Sequence, residues 1–161
     1  MQTFLPDADF AASAALLDDR RLGKQRVEAL QVIRALTRAT YGWQHHPAVR
    51  MWRGYEEALG RYALTICAEW CRRSFADTCA ATITDDLAAA GLPVPPRTQD
   101  ALAAAGELPP WLGDEAFHRS HRSALRRKDP EHYAARFADV PDDLPYVWPV
   151  TGPDGSRRGE P

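Results

Sequence analysis

Apolar residues recur at spacings of three and four along most of the chain, and nothing in the pattern calls for a strand. Asp9 is placed to cap a short helix over about 10–17. A long helix follows over about 19–39, with Val27, Leu30, Ile33 and Leu36 or Thr37 on its buried side. Tyr41-Gly42-Trp43 ends it. A second long helix opens at His45-His46-Pro47, where Pro47 suits the first turn. Ala48, Trp52, Tyr55, Leu59, Tyr62, Ile66 and Trp70 then recur over about six turns and read as a central core helix rather than a base-stacking platform. Short helices over 82–90 and 98–105 flank the linker GLPVPPR, and two more are expected over 114–128 and 130–138. The tail is extended. Tyr146 and Trp148 pack back on the body, and residues from about 152 read as disordered. The expectation is one compact all-α domain over residues 1–150, built on two long helices, with a tail over 151–161.

Length and composition agree with that picture. The chain has 161 residues and is 45% hydrophobic, enough for one real core. No run of 18 apolar residues is present, and the first ten residues do not resemble a signal peptide. Cys67, Cys71 and Cys79 form no CxxC pair, so neither a disulfide framework nor a zinc ribbon is indicated. A reduced, cytoplasmic, monomeric protein without a membrane partner is the expectation.

The net charge of −2 hides a block pattern. Residues 20–73 hold 11 basic and 4 acidic side chains, and residues 119–136 hold 6 and 2, while the flanking segments are acidic. Folding could bring the two basic blocks together as one face for nucleic acid, or leave them as ordinary solvated helix faces.

Within the first block, Arg21, Lys24, Gln25, Glu28 and Gln31 follow spacings of three and four and share a stripe. Glu28 is the lone acid after Arg20, Arg21, Lys24 and Arg26. One reading is a plain Lys24–Glu28 pair worth a few tenths of a kcal/mol. The other is an anionic substrate gripped by the cations, with Glu28 acting at an electron-poor carbon. In the second block, His118, Arg119, His121, Arg122, Arg126, Arg127 and Lys128 suit phosphate contacts better than metal, because no third ligand has suitable spacing. His46 belongs to a third polar cluster at a helix start, with simple capping as its other reading. Only two lysines occur, Lys24 and Lys128, against 18 arginines, so primary amines are limited to these and the N-terminus. An α-amine has a reference pKa of about 7.7–8.0 and is the better nucleophile near neutrality.

The order LDDRRLGKQRVEALQV, then HPAVRMWRGYEEALGRYALTICAEWCRRSF, resembles the phage-type pyrimidine-dimer DNA glycosylase/AP lyase family. The matching positions are Leu17, Asp19, Leu22 and Glu28, then Ala68, Glu69, Trp70 and Cys71. The resemblance covers about residues 1–75 well and 110–149 loosely. It implies a helical protein that needs no cofactor or metal, binds duplex DNA carrying a damaged or modified base, and flips a nucleotide out. It also implies attack of an N-terminal α-amine on C1′, with Glu28 stabilising the cationic sugar and assisting proton transfer. Strand nicking by β-elimination would follow.

Three positions depart from the family pattern. The family nucleophile is a threonine exposed by methionine removal; here Gln2 favours retention of Met1 and its amine. Two family pocket arginines fall on Val27 and Gln31, which leaves the excised base open. The segment before the glutamate helix is about five residues longer. Three readings stand: a glycosylase using Met1 and Glu28, a water-using glycosylase acting on modified nucleosides, and a non-catalytic DNA-binding module.

Overall fold

The computed structural model describes residues 1–149. The described residues form eight helices and no strands, which bears out the all-α expectation. They are α1 (Phe10–Leu16), α2 (Asp19–Thr37), α3 (Pro47–Arg50), α4 (Glu56–Arg72), α5 (Cys79–Ala89), α6 (Gln99–Ala104), α7 (Glu115–Lys128) and α8 (Pro130–Tyr133). None is long and apolar enough to cross a membrane. Residues from 152 onward lie outside the described part.

Local chemistry sets the helix starts. The side chains of Asp9, Asp18, Thr98, Asp114 and Asp129 each accept a backbone N–H in the first turn of the helix they precede. Pro130 sits in the first turn of α8, as its missing N–H allows. That helix is shorter than expected, because the chain leaves the helical path after Tyr133 and continues as turns to Val140.

Helix α4 is the hub, packing against α1, α2, α5 and α6. Its expected role as the core helix holds, but its expected continuity does not. The periodic residues Ala48, Trp52, Leu59, Tyr62 and Ile66 are all fully buried, yet they are spread over α3, the turn that follows it and α4. Gly54 adopts φ +85°, a left-handed conformation that ordinary residues avoid, and breaks the path between α3 and α4. The apolar spacing survives the break because Trp52 turns into the core beside Tyr62 and Trp111.

Helix α2 lies close on α4. A Cβ at Gly23 would stand 3.0 Å from the Trp70 ring, so a side chain there would force that ring to shift. The buried arc of α2 runs through Leu22, Gln25, Ala29, Val32 and Ile33. Val27, expected inside, lies on the opposite side of the helix and is 44% exposed. The arc is displaced because the N-terminal segment lies across α2 and buries Gln25, a member of the stripe that also holds Lys24 and Glu28.

That segment is extended, and residues 2–5 are buried. A buried extended segment outside any sheet must satisfy its backbone through side chains. Gln25 donates to the Gln2 carbonyl and accepts from Phe4 N–H at 2.8 Å. The Tyr62 hydroxyl donates to the Phe4 carbonyl at 2.8 Å, and Trp52 Nε1 donates to Thr3 Oγ1 at 2.9 Å. His121 Nδ1 accepts from Leu5 N–H at 2.9 Å, while His118 Nδ1 bonds the Leu5 carbonyl at 2.8 Å. Arg122 donates to the Pro6 carbonyl at 2.9 Å. Residues from α2, α4 and α7, together with Trp52, thus hold the first six residues in one place.

Candidate active site

The clamped segment delivers the chain's first residue to Glu28. The Met1 α-amine lies 3.9 Å from Glu28 Oε1, and Lys24 Nζ lies 3.4 Å from the same oxygen. The Glu28 side chain is 13% exposed, whereas that of Lys24 is 73% exposed. The pair expected from helical spacing therefore forms, and it forms at the edge of a cleft.

The cleft has a volume of about 360 Å³, within the range of small-ligand sites. Met1, Gln2 and Phe4 line it from the N-terminal segment, and Arg20, Arg21, Lys24 and Glu28 from α2. His46 and Lys128 complete two walls, and Tyr146 and Trp148 reach in from the tail. The tail is pinned by two buried serines of α7. Ser123 Oγ accepts from Leu144 N–H at 3.0 Å and Ser120 Oγ from Val147 N–H at 3.1 Å. The expected return of Tyr146 and Trp148 to the body is seen, and it closes the cleft.

The two basic blocks meet here, but only part of each contributes. Arg20 and Lys128 line the cleft, and their side chains make no ion pair among the described residues. Arg21 also lines it, yet its guanidinium is tied to Asp18 at 3.1 Å, to Asp129 at 3.0 Å and to the Lys128 carbonyl at 2.9 Å. It fastens α2 to the end of α7. Arg26 points to another side of α2, pairing with Asp77 and lying 4.3 Å over the Trp70 ring. Arg119 donates to the Asp139 carbonyl at 2.8 Å, and Arg122 pairs with Glu115 besides holding Pro6.

His118 and His121 correct the sequence expectation most clearly. Both were assigned to DNA, and both are buried. His118 Nε2 accepts from Gly113 N–H at 2.9 Å, so its Nδ1 carries the proton and donates to Leu5. His121 Nδ1 accepts, so its proton sits on Nε2. The pair holds the N–H and the carbonyl of one residue, Leu5, and both rings are shut away from any phosphate. The available signal was their position on the arc of α7 that also carries Phe117, Ala124 and Leu125. Gln25 carries the same signal on α2. A polar side chain within a buried arc must find a buried partner.

His46 keeps both of its readings. Its Nδ1 caps α3, accepting from Ala48 N–H at 3.1 Å, and its ring faces the cleft. Burial, then the charge of the N-terminal ammonium, hold its pKa below the ordinary histidine value, with Glu28 opposing. Burial, helped by the nearby His118, pushes His121 down to about 3. The unfolded chain takes up a proton near pH 6.5 that folded His121 refuses. This contribution to stability is therefore complete above about pH 6.5 and is lost as pH falls toward 3. Urea unfolding should show stability falling by up to about 1.4 kcal/mol per pH unit between pH 6 and 5 from His121. Carboxylates contribute little in that interval because their unfolded values lie lower. His121→Gln should flatten the slope by that amount; an unchanged slope would rule out this assignment.

No curated protein and no solved structure matches the chain. A family model described as pyrimidine dimer DNA glycosylase matches residues 1–83, which hold the amine, the Glu28 helix, His46 and half of the side chains that clamp the N-terminal segment, namely Gln25, Trp52 and Tyr62. On that match over half its length, the chain belongs to the pyrimidine dimer DNA glycosylase family.

Proposed function

We propose that this family member excises a damaged or modified base from duplex DNA through the Met1 amine and Glu28, and that it nicks the resulting abasic site. The single observation that carries this reading is the 3.9 Å approach of the buried-segment amine to Glu28 within a cation-rimmed cleft.

Arg20, Lys24 and Lys128 hold backbone phosphates at the rim, and the target nucleotide turns out of the stack into the cleft. Glu28 takes the proton that the ammonium must lose before it is a nucleophile. The amine attacks C1′, the glycosidic bond breaks, and the base leaves with the bonding electrons and is protonated. Glu28, again anionic once it has passed that proton on, faces the positive charge at C1′. A proton passes from the attacking nitrogen to O4′ as the sugar ring opens to an iminium, and loss of a C2′ proton then expels the 3′ phosphate. A second reading has the same carboxylate activating a water. The amine–carboxylate separation is longer than a hydrogen bond, which favours keeping that reading.

Duplexes bearing pyrimidine dimers, other damaged bases and modified bases, scored for free base and strand breaks, test the proposal. Free base with breaks supports it. Duplex binding with no turnover on any lesion would leave a non-catalytic binding module.

The rim residues make a separate prediction. Arg20→Ala and Lys128→Ala should each lower the slope of log K against log salt by about one, the loss of one phosphate contact. Arg119→Ala, whose guanidinium is spent on Asp139, should leave the slope unchanged. Equal effects from all three would mean a diffuse basic surface rather than this cleft.

A further inference from the structure

Trp43 stands outside the core, 65% exposed, on the connection between α2 and α3. Its backbone is left-handed, with φ +70°, which is unusual for a bulky residue. The connection is nonetheless firmly built. Gln44 Nε2 donates to the carbonyls of Arg38 and Ala39, both at 2.9 Å, and His46 N–H bonds the Trp43 carbonyl at 2.9 Å. Strain held by surrounding bonds marks a position kept for something other than packing.

The Trp43 ring meets His46 edge to face with centroids 5.8 Å apart. His46 meets Trp148 in the same way at 6.1 Å, and Trp148 lies 5.4 Å from Tyr146. His46, Trp148 and Tyr146 all line the cleft. A row of rings therefore runs from inside the cleft to an exposed indole beside it. A nucleotide turned into the cleft leaves a gap in the duplex, and a flat apolar side chain near the rim can fill that gap by stacking.

We propose that Trp43 is a stacking wedge, inserting into the duplex where the target nucleotide has left. This rests on the glycosylase reading above, and it adds a residue that touches neither the amine nor Glu28.

Two duplexes of one sequence provide the test, one intact and one with a tetrahydrofuran abasic site. Wild type should prefer the abasic duplex. Trp43→Gly should weaken abasic binding by roughly 5- to 100-fold, the range for a lost aromatic stack, and leave intact-duplex binding within about twofold. Trp43→Phe should retain most of the preference. The melting temperature of Trp43→Gly should be no lower than wild type, since glycine accepts the left-handed backbone. Indole quenching on abasic DNA should shrink in Trp43→Phe relative to wild type. If Trp43→Gly keeps the preference, or loses both duplexes equally, the wedge is overturned while excision by wild type still stands. If wild type binds neither duplex, the glycosylase reading falls and the wedge falls with it.

Discussion

Glu28→Gln is expected to fold normally, bind duplex DNA like the parent and lose base excision by at least about 100-fold, the scale of a positioned acid–base group. The substitution keeps shape and hydrogen-bonding capacity and removes only the charge. Its cost to stability should be about 1 kcal/mol or less, because the Lys24 partner is mostly in water. Lys24→Met is the matching control. It breaks the same ion pair but leaves the carboxylate beside the amine. Excision should survive in Lys24→Met, with somewhat weaker DNA binding, and fail in Glu28→Gln. Near-parental excision by Glu28→Gln would reduce Glu28 to half of a surface ion pair.

The residues at the centre of this argument were legible because helical spacing is local. Arg20, Lys24 and Glu28 lie within three turns of α2, and their shared cleft follows from that geometry. Lys128 joins them because the end of α7 is fastened to α2 through Arg21. What periodicity could not reveal was which side of α2 the N-terminal segment would cover. That segment is apolar only in part, and its partners are remote: Leu5 bonds residues more than a hundred positions away. So periodicity puts Val27 inside, Gln25 on the stripe with Lys24 and Glu28, and His118 and His121 on DNA. Each error comes from the same missing fact, a buried extended segment whose backbone is satisfied by side chains. The break at Gly54 was hidden for a different reason. Apolar spacing continued through the turn, and a single glycine within a helical pattern is a weak stop signal.

That buried segment leads to the second large effect. Adding one residue before Met1 should abolish borohydride trapping on abasic DNA while leaving duplex binding intact. Extension converts the Met1 amine into an amide, which is no nucleophile. The new amine begins about 3.5 Å further along the chain. Residues 2–6 cannot slide to compensate, because Gln25, Tyr62, His118, His121 and Arg122 fix their peptide groups. A flexible terminus would lose only part of its activity on such an extension; a clamped one should lose at least about 100-fold. In the unextended protein, reduction should yield a covalent complex, and peptide mapping should place the adduct on residue 1. Lys24 is the credible rival, since its amine lies 3.4 Å from the same carboxylate oxygen. Lys24→Arg should therefore leave trapping unchanged. An adduct on Lys24 would move the nucleophile onto α2 and make the clamp a purely structural feature. Base release with no adduct would assign the attack to water, with Glu28 as its base and the Met1 ammonium as a fixed positive charge beside it.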